Sequence, residues 1–183
     1  MNQSNFLQKH QLVDLSNDPD FLIQMVYATP NNFTGKKLYD QSFCFLRKKT
    51  YRKLKAACQI LKDHNCRLVI WDAYRPLSIQ RKMWQHTPDE RFVANPHKSH
   101  AEHCKGSAVD VTLADLDSNL LSMPTKFDHF GPESFRENLH QCSPKIQKNV
   151  ALLTDTMHQC GFEAIPTEWW HFNDSDHYPY IDA

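Results

Sequence analysis

The chain has 183 residues, which is enough for one domain with a substantial core and too few to predict two. Lysine plus arginine and aspartate plus glutamate are equal at 21 each, so the formal net charge is zero. No global field therefore favours nucleic acid or an anionic membrane as a partner. We predict a single domain over residues 1–183 that acts on a small or neutral substrate.

The N-terminal segment has no basic region followed by a continuous apolar region, and no later stretch approaches the length of a membrane span. This pattern predicts a cytoplasmic protein, and a periplasmic location would require a leader upstream of the printed sequence. The six cysteines form no C-x-x-C pair, which argues against a zinc ribbon or a thioredoxin-like motif. We expect most of them to be buried free thiols.

The first half of the chain combines short extended segments with an amphipathic helix. Residues 1–10 are polar and predict a loosely ordered end. Apolar clusters split by a turn-rich stretch predict two short extended segments over 12–27. Apolar residues spaced by three and four predict a helix over about 47–64. The run Arg67–Asp72 is apolar and rich in strand formers, and it predicts a buried strand.

The second half predicts two more helices, one long loop and further strands. Polar residues and chain breakers indicate a long functional loop over 87–105. Alternating β-branched residues predict a strand at Ala108–Leu113. The remaining predicted elements are a helix over about 77–86, a helix from Ser143 to Gly161, and extended segments at 162–165 and 169–172. Three helices among short strands predict an α+β fold with a mainly antiparallel central sheet.

Two stretches that are far apart in the sequence carry the residue types of a catalytic zinc site. One reads A-E-H-C-K-G-S-A-V-D over Ala101–Asp110, and the other reads E-W-W-H over Glu168–His171. Such a site needs three histidine or carboxylate ligands, an open position for water, and a further carboxylate that can take a proton. The candidates are His103, Asp110 and His171 as ligands and Glu168 as the general base.

The geometry of the first stretch is not fixed by spacing. A continuous helix is disfavoured by Gly106 and the β-branched run after it, and a straight strand would place His103 and Asp110 on opposite faces. We expect a bend near Gly106 that lets both residues face one point. His97 and His100 precede His103 at spacings of three, and His100 competes with it as a ligand. The competing interpretation is that these are ordinary loop histidines.

The second stretch places two tryptophans between Glu168 and His171, which favours a bent strand or a turn. The roles then separate, with His171 as a zinc ligand and Glu168 as the general base. Cys104 lies beside the candidate ligands, but it lacks the surroundings of a cysteine protease nucleophile. We therefore do not assign it a catalytic role.

Arg75 lies in the stretch W-D-A-Y-R-P at the end of a predicted strand. One interpretation is structural, an ion pair with Asp72. The other is catalytic, a guanidinium aimed at the oxyanion that forms when an amide is attacked. Both hold together if Asp72 orients the guanidinium.

The spacing H-x-x-G-x-A-x-D, followed distantly by E-x-x-H, resembles the zinc D-alanyl-D-alanine dipeptidases of the vancomycin-resistance type. These belong to a wider group of peptidoglycan peptidases that share a fold with Hedgehog signalling domains. Three more stretches support the resemblance, at Tyr27–Gly35, Trp71–Pro76 and Phe127–Phe130. The similarity extends over roughly Leu12–Phe172.

The resemblance implies a Hedgehog-like α+β fold and hydrolysis of D-alanyl-D-alanine to free D-alanine. A dipeptidase must also recognise the free amino group of its substrate, and a buried carboxylate does so. The implied residues are His103, Asp110 and His171 for one Zn²⁺ per chain, Glu168 and Arg75 for catalysis with Asp72 in support, and Asp128 and Tyr27 near the substrate amine.

The chain departs from the family pattern at two positions, with Ala101 where the family usually has serine and Pro124 where it often has glycine. Neither is a candidate ligand, so hydrolysis is better supported than the exact dipeptide. Two alternatives remain: a carboxypeptidase or LD-peptidase that acts on peptidoglycan stem peptides, and a zinc-containing binding domain without activity. The presence of Glu168 and Arg75 argues against the second, because a structural zinc needs neither.

Overall fold

A five-stranded sheet forms the centre of the structure, a computed structural model that describes residues 2–98 and 101–181. The helices are α1 (Gln3–Lys9), α2 (Lys48–Asp63), α3 (Leu77–His86) and α4 (Pro144–Gln159). The strands are β1 (Leu12–Asp14), β2 (Phe21–Ile23), β3 (Phe45–Arg47), β4 (Arg67–Asp72), β5 (Ala108–Ala114), β6 (Phe162–Ala164) and β7 (His171–Asp174).

The order of strands in this sheet is β2-β4-β5-β7-β6. β2 runs parallel to β4, whereas the other three neighbouring pairs run antiparallel. β1 and β3 form a separate antiparallel ribbon. The prediction of an α+β fold with a mainly antiparallel sheet is confirmed.

The central strand β5 is buried along its whole length. A strand covered on both faces reads as a continuous apolar run, and five of its seven residues are alanine, valine or leucine. Asp110, 2 % exposed, is the charged exception in this strand. A buried carboxylate is costly unless it is paired, so its position requires partners, and these belong to the site described below.

The two long helices match the predicted ones. In α2 the buried residues include Leu54, Cys58 and Leu61, at spacings of four and three. α4 begins with Pro144 after Ser143, and Gly161, at φ 82°, follows its end. None of the helices in the described ranges is both long and apolar enough to cross a membrane.

The N-terminal segment differs from the prediction, because residues 3–9 form α1 where the sequence predicts a loose end. The Asn2 side chain accepts a hydrogen bond from the Asn5 N–H at 2.9 Å and caps the helix. Phe6 and Leu7 pack against a small apolar cluster, and this contact gives the short helix a surface on which to fold. The residues of that cluster are Leu12, Phe45, Tyr74 and Ile181.

Candidate active site

Three neighbouring strands bring the predicted site residues to one row of the sheet. Asp72 pairs with Asp110 across β4 and β5, and Asp110 pairs with His171 across β5 and β7. His103 lies in a short 3-10 turn, Glu102–Lys105, just before β5. Residues that are far apart in the chain therefore converge at the middle of the buried strand.

Gly106 makes the bend that the sequence predicts. Its φ of 70° is in the left-handed region, and the backbone there carries the chain from the 3-10 turn into β5. A Cβ atom at this position would lie 3.0 Å from Leu12 Cδ2. Glycine therefore satisfies both the backbone conformation and the close packing that return His103 toward Asp110.

The three candidate ligands meet at one point. His103 Nε2 lies 3.2 Å from Asp110 Oδ2, and His171 Nδ1 lies 3.0 Å from Asp110 Oδ1. The two imidazole nitrogens are 3.2 Å apart. All three ligand atoms lie within 4.8 Å of one another, and the described residues contain one such cluster.

Each candidate histidine ligand has a second ring nitrogen that faces away from Asp110, and the hydrogen bond of that nitrogen shows whether the first nitrogen is free to bind a cation. His103 Nδ1 lies 2.7 Å from the Ala73 carbonyl oxygen, which can only accept, so this nitrogen carries the proton. His171 Nε2 makes the same kind of contact with Asn173 Oδ1 at 2.7 Å. Each neutral ring then directs the lone pair of its other nitrogen at the shared point. Two lone pairs and a carboxylate facing one another fit a zinc ion with three protein ligands.

The carboxyl of Asp110 is held in its ionised form. Burial alone would raise its pKa, but the positive charge and N–H donors that His103 and His171 offer when protonated outweigh burial and hold the pKa of Asp110 well below its usual range. Burial raises the pKa of the neighbouring Cys104 thiol to about 12, so a thiolate nucleophile is excluded there. The competing ligand His100 lies outside the described residues.

Glu168 lies in the loop over residues 165–170 that joins β6 to β7. The sequence predicts an extended segment from Trp169, whereas β7 begins at His171, because the buried Trp169 is tied down by a 2.9 Å hydrogen bond from Nε1 to Thr125 Oγ1. Glu168 Oε2 lies 3.8 Å from His171 Nδ1. Burial raises the pKa of Glu168 well above its ordinary value, and the charge of Asp110 adds to this effect. The carboxyl is therefore a basic group beside the candidate ligands.

Arg75 is held in place from two sides. Its Nε donates to Asp72 Oδ2 at 2.9 Å, and its Nη1 donates to Gln80 Oε1 at 2.8 Å. Asp72 is fully buried and also accepts a hydrogen bond from the Tyr39 hydroxyl at 2.8 Å. The guanidinium points toward the candidate ligands, with Nη2 at 3.6 Å from Asp110 Oδ2. The two interpretations of the arginine are thus compatible in one geometry.

Asp128 and Tyr27 form the far side of the site. The Tyr27 hydroxyl donates to Asp128 Oδ1 at 2.8 Å. The other oxygen, Oδ2, is shielded from solvent and has no hydrogen-bond partner of normal geometry among the described residues. Burial raises the pKa of Asp128 to about 7. A carboxylate oxygen so placed is suited to an incoming cationic group.

One cavity of about 330 Å³ joins all of these groups. One end carries the carboxylates of Asp110, Asp128 and Glu168 together with Arg75, and the rest of the wall combines apolar side chains with polar and charged ones. Such a volume and lining suit a small ligand with a few fixed polar groups. The apolar wall includes Phe33, Phe92, Val93 and Phe130.

Three residues of the site are absent from the sequence predictions. Asn173 lies two residues after His171 in the same strand, so the period of two would have found it. Gln80 and Arg136 bind main-chain carbonyls, at Ala94 and in the loop that carries Glu168. No sequence pattern identifies such acceptors.

The fold and the His-Asp-His cluster with its neighbouring glutamate define a zinc metallopeptidase. Residues 8–182 match peptidase family M15, described as D-ala-D-ala dipeptidase, and the chain belongs to this family. It is 37% identical over 163 residues to the D-alanyl-D-alanine dipeptidase of Escherichia coli (strain K12), covering 88% of this chain and 83% of that protein.

Other relatives agree with this assignment. The D-alanyl-D-alanine dipeptidase of Enterococcus faecalis is 30% identical over 177 residues, covering 86% of this chain and 87% of that protein. Among solved structures, the LdcB LD-carboxypeptidase matches with a TM-score of 0.52 at 15% identity, covering 94% of this chain and 68% of that chain. The latter similarity shows a shared fold.

Proposed function

We propose that the protein hydrolyses D-alanyl-D-alanine to free D-alanine with one zinc ion per chain. Membership of the family and the names of its relatives support the substrate. The observation that carries the proposal is the cavity in which the His103, Asp110 and His171 cluster shares its space with the unpaired carboxylate oxygen of Asp128. In a dipeptide the scissile carbonyl lies close to the free amine. A small cavity that holds both the ligand cluster and the Asp128 carboxylate therefore fits such a substrate.

The residues of the site have distinct roles in this mechanism. Zinc held by His103, Asp110 and His171 would supply a Lewis acid for the scissile carbonyl and a water of lowered pKa. Glu168 removes a proton from the attacking water and returns it to the leaving amine. Its raised pKa and its burial suit both transfers, because a buried carboxyl of raised pKa accepts a proton more readily than an exposed one.

Arg75 faces the oxygen on which negative charge develops. Asp72 and Gln80 fix the guanidinium before substrate arrives, so little reorganisation accompanies the reaction. Because the donors are directed by the protein, the arginine stabilises the tetrahedral intermediate more than the ground state.

Asp128 binds the substrate ammonium, and Tyr27 holds the carboxylate through its other oxygen. An ammonium next to Oδ2 satisfies the buried oxygen and favours the ionised carboxyl. A blocked amine would leave that oxygen unpaired, and this discriminates against acylated peptides. The same pair therefore sets the preference for a free dipeptide.

The test is a substrate panel with zinc-loaded protein. We expect release of D-alanine from D-alanyl-D-alanine and little hydrolysis of L-alanyl-L-alanine or of N-acetyl-D-alanyl-D-alanine. Equal rates on the acetylated and free peptides would instead indicate a carboxypeptidase that acts on stem peptides. Zinc bound in equal amount to protein, with no dipeptide hydrolysed, would indicate a binding domain and overturn the proposal.

We also propose that the chain acts as a single zinc peptidase domain in the cytoplasm. Leu12 and Ile181, from opposite ends of the described chain, pack in one cluster, which supports one domain. All six cysteines are free and four of them are buried, as expected in a reducing compartment. Cell fractionation with an antibody against the protein tests the location.

A further inference from the structure

Arg136 lies outside every motif of the sequence, in the 3-10 segment Arg136–Gln141 that precedes α4. It donates four hydrogen bonds, and three of the acceptors lie in the loop over residues 165–170 that carries Glu168. The main-chain N–H of Arg136 donates to the Pro166 carbonyl oxygen at 2.9 Å. In the side chain, Nε donates to the Ile165 carbonyl oxygen at 2.9 Å and Nη2 to the Trp169 carbonyl oxygen at 2.8 Å. The fourth acceptor, outside the loop, is Thr154 Oγ1, at 2.9 Å from Nη1.

The guanidinium spans the loop on both sides of Glu168. Nε contacts the carbonyl of Ile165, three residues before the glutamate, and Nη2 contacts the carbonyl of Trp169, one residue after it. A planar fork with fixed donor directions holds two carbonyls at a set separation, which a flexible ammonium does not. The arginine also lies over the Phe172 ring, at 4.9 Å from its centroid, so the fork is fixed on β7 as well.

Arg136 remains charged in this partly buried place. Burial lowers its pKa to about 10, and the nearby charge of Glu168 counters part of that effect. Hydrogen bonds from a charged donor are stronger than those between neutral groups. Two such bonds, together with the bond from the main-chain N–H of Arg136, therefore restrain a six-residue loop that would otherwise depend on its two strand ends.

We infer that Arg136 is a positioning residue for the catalytic base, holding the loop so that Glu168 faces the metal ligands. This inference rests on the proposed role of Glu168. The ligands themselves are fixed by β5, by β7 and by the turn at His103, so loss of the fork displaces the base and leaves the zinc site in place. A displacement of about 1 Å between reacting groups costs up to about 100-fold in rate.

The main test compares Arg136→Lys with the wild-type protein. Lysine keeps the charge and most of the volume, but its ammonium cannot contact both carbonyls in the geometry of the fork. We expect kcat for D-alanyl-D-alanine to fall by about 10- to 100-fold, with KM changed by less than about 3-fold and the zinc content unchanged. Arg136→Gln, which also removes the charge, should reduce kcat at least as much.

Thr154→Val is the matched control. It removes the one side-chain hydrogen bond of Arg136 that does not reach the loop. We expect wild-type kcat and KM from this variant. Amide hydrogen exchange gives a readout that is independent of turnover: exchange in residues 165–170 should rise in Arg136→Lys and stay unchanged in Thr154→Val.

A double-mutant cycle separates positioning from a general structural defect. In a Glu168→Ala background the base is absent, so Arg136→Lys should have no further effect on the residual rate. A residual rate that falls by the same factor as in the wild-type background would overturn the inference, as would a wild-type kcat in Arg136→Lys. A wild-type protein that binds zinc and hydrolyses no dipeptide would instead contradict the proposed function.

Discussion

Gln80 Oε1 accepts a hydrogen bond from Arg75 Nη1 at 2.8 Å, while Gln80 Nε2 donates to the Ala94 carbonyl oxygen at 2.6 Å. The buried glutamine therefore links the arginine of the site to the loop after α3. The amide oxygen and the amide nitrogen of Gln80 are thus both hydrogen-bonded, and its position in α3 does not predict this role.

Gln80→Leu should lower kcat/KM by about 10- to 100-fold, because loss of a hydrogen bond to a charged group typically costs about 1.5–3 kcal/mol. Gln80→Glu keeps an acceptor for Arg75 and should retain more activity than the leucine variant. Gln85→Leu, at an exposed position of the same helix, is the control and should match the wild type. Equal activity in Gln80→Leu and Gln85→Leu would show that the arginine needs no support from this side.

Glu168→Ala should keep the zinc content of the wild type and lose most turnover, by roughly 100- to 10,000-fold, the range typical of a general base. Glu168 supplies none of the three candidate ligand atoms, so we expect zinc binding not to depend on it. Metal analysis and steady-state kinetics on the same sample measure both properties. Hydrolysis of D-alanyl-D-alanine at the wild-type rate would remove Glu168 from the mechanism.

Asp128→Asn should raise KM for D-alanyl-D-alanine by about 10- to 100-fold, since a charge-assisted contact with the ammonium is worth about 1.5–3 kcal/mol. The variant should lose much less activity toward N-acetyl-D-alanyl-D-alanine, because that peptide carries no ammonium. Asp117→Asn, at an exposed position outside the cavity, serves as the control. A uniform loss on both peptides would place Asp128 in a structural role instead.

Removal of zinc should destabilise the protein as well as inactivate it. A ligand that binds only the folded state adds about 2.7 kcal/mol to the free energy of unfolding at 100 times its Kd. For a chain of this size that corresponds to a rise in Tm of about 5 °C or more. Zinc added to the chelator-treated protein should restore this rise, and in His171→Ala it should not. An identical zinc-dependent rise in His171→Ala would exclude that histidine as a ligand.

Low pH should weaken the ion pairs of Asp20 with Lys55 and Lys62, which lie outside the cavity. Hydrogen bonds from Lys55 and Lys62 lower the pKa of Asp20 below its ordinary 3.8. A lowered folded-state pKa means that the contribution is present above the unfolded pKa and is lost as pH falls through the folded one. Asp20→Asn should therefore lower the free energy of unfolding at pH 7 by at most about 1 kcal/mol, and this difference should shrink as the pH falls below 3.8. A difference that persists in acid would contradict the charge-based explanation.

The sequence predicted the parts of the site that depend on residue type and periodicity. His103, Asp110 and His171 are recognisable as candidate ligands because metal ligation needs particular side chains, and Glu168 as a candidate base because a carboxylate lies near one of them in the sequence. Ala108–Leu113 is recognisable because a buried strand needs an apolar run. The fold class follows from the same periodicities. The bend at Gly106 was predictable because helix and straight strand could both be excluded.

The supporting contacts could not be predicted in the same way. Gln80 and Arg136 donate to main-chain carbonyls, which every residue possesses, so the sequence does not identify these acceptors. Helix α1 was not predicted either, because it packs against an apolar cluster that includes Ile181 from the other end of the chain. The sequence predicted that Trp169 belongs to a strand, but it lies in a turn that is held by long-range hydrogen bonds to Thr125 and from Arg136.

The register of β5 against β7 determines when the candidate metal site can form during folding. Asp110 and His171 are separated by 61 positions in the chain, and their contact exists only once these strands have paired. Pairing of distant strands is slow compared with helix formation. During refolding, native-like zinc capture should therefore coincide with late sheet assembly, which makes the metal a natural reporter of the completed fold.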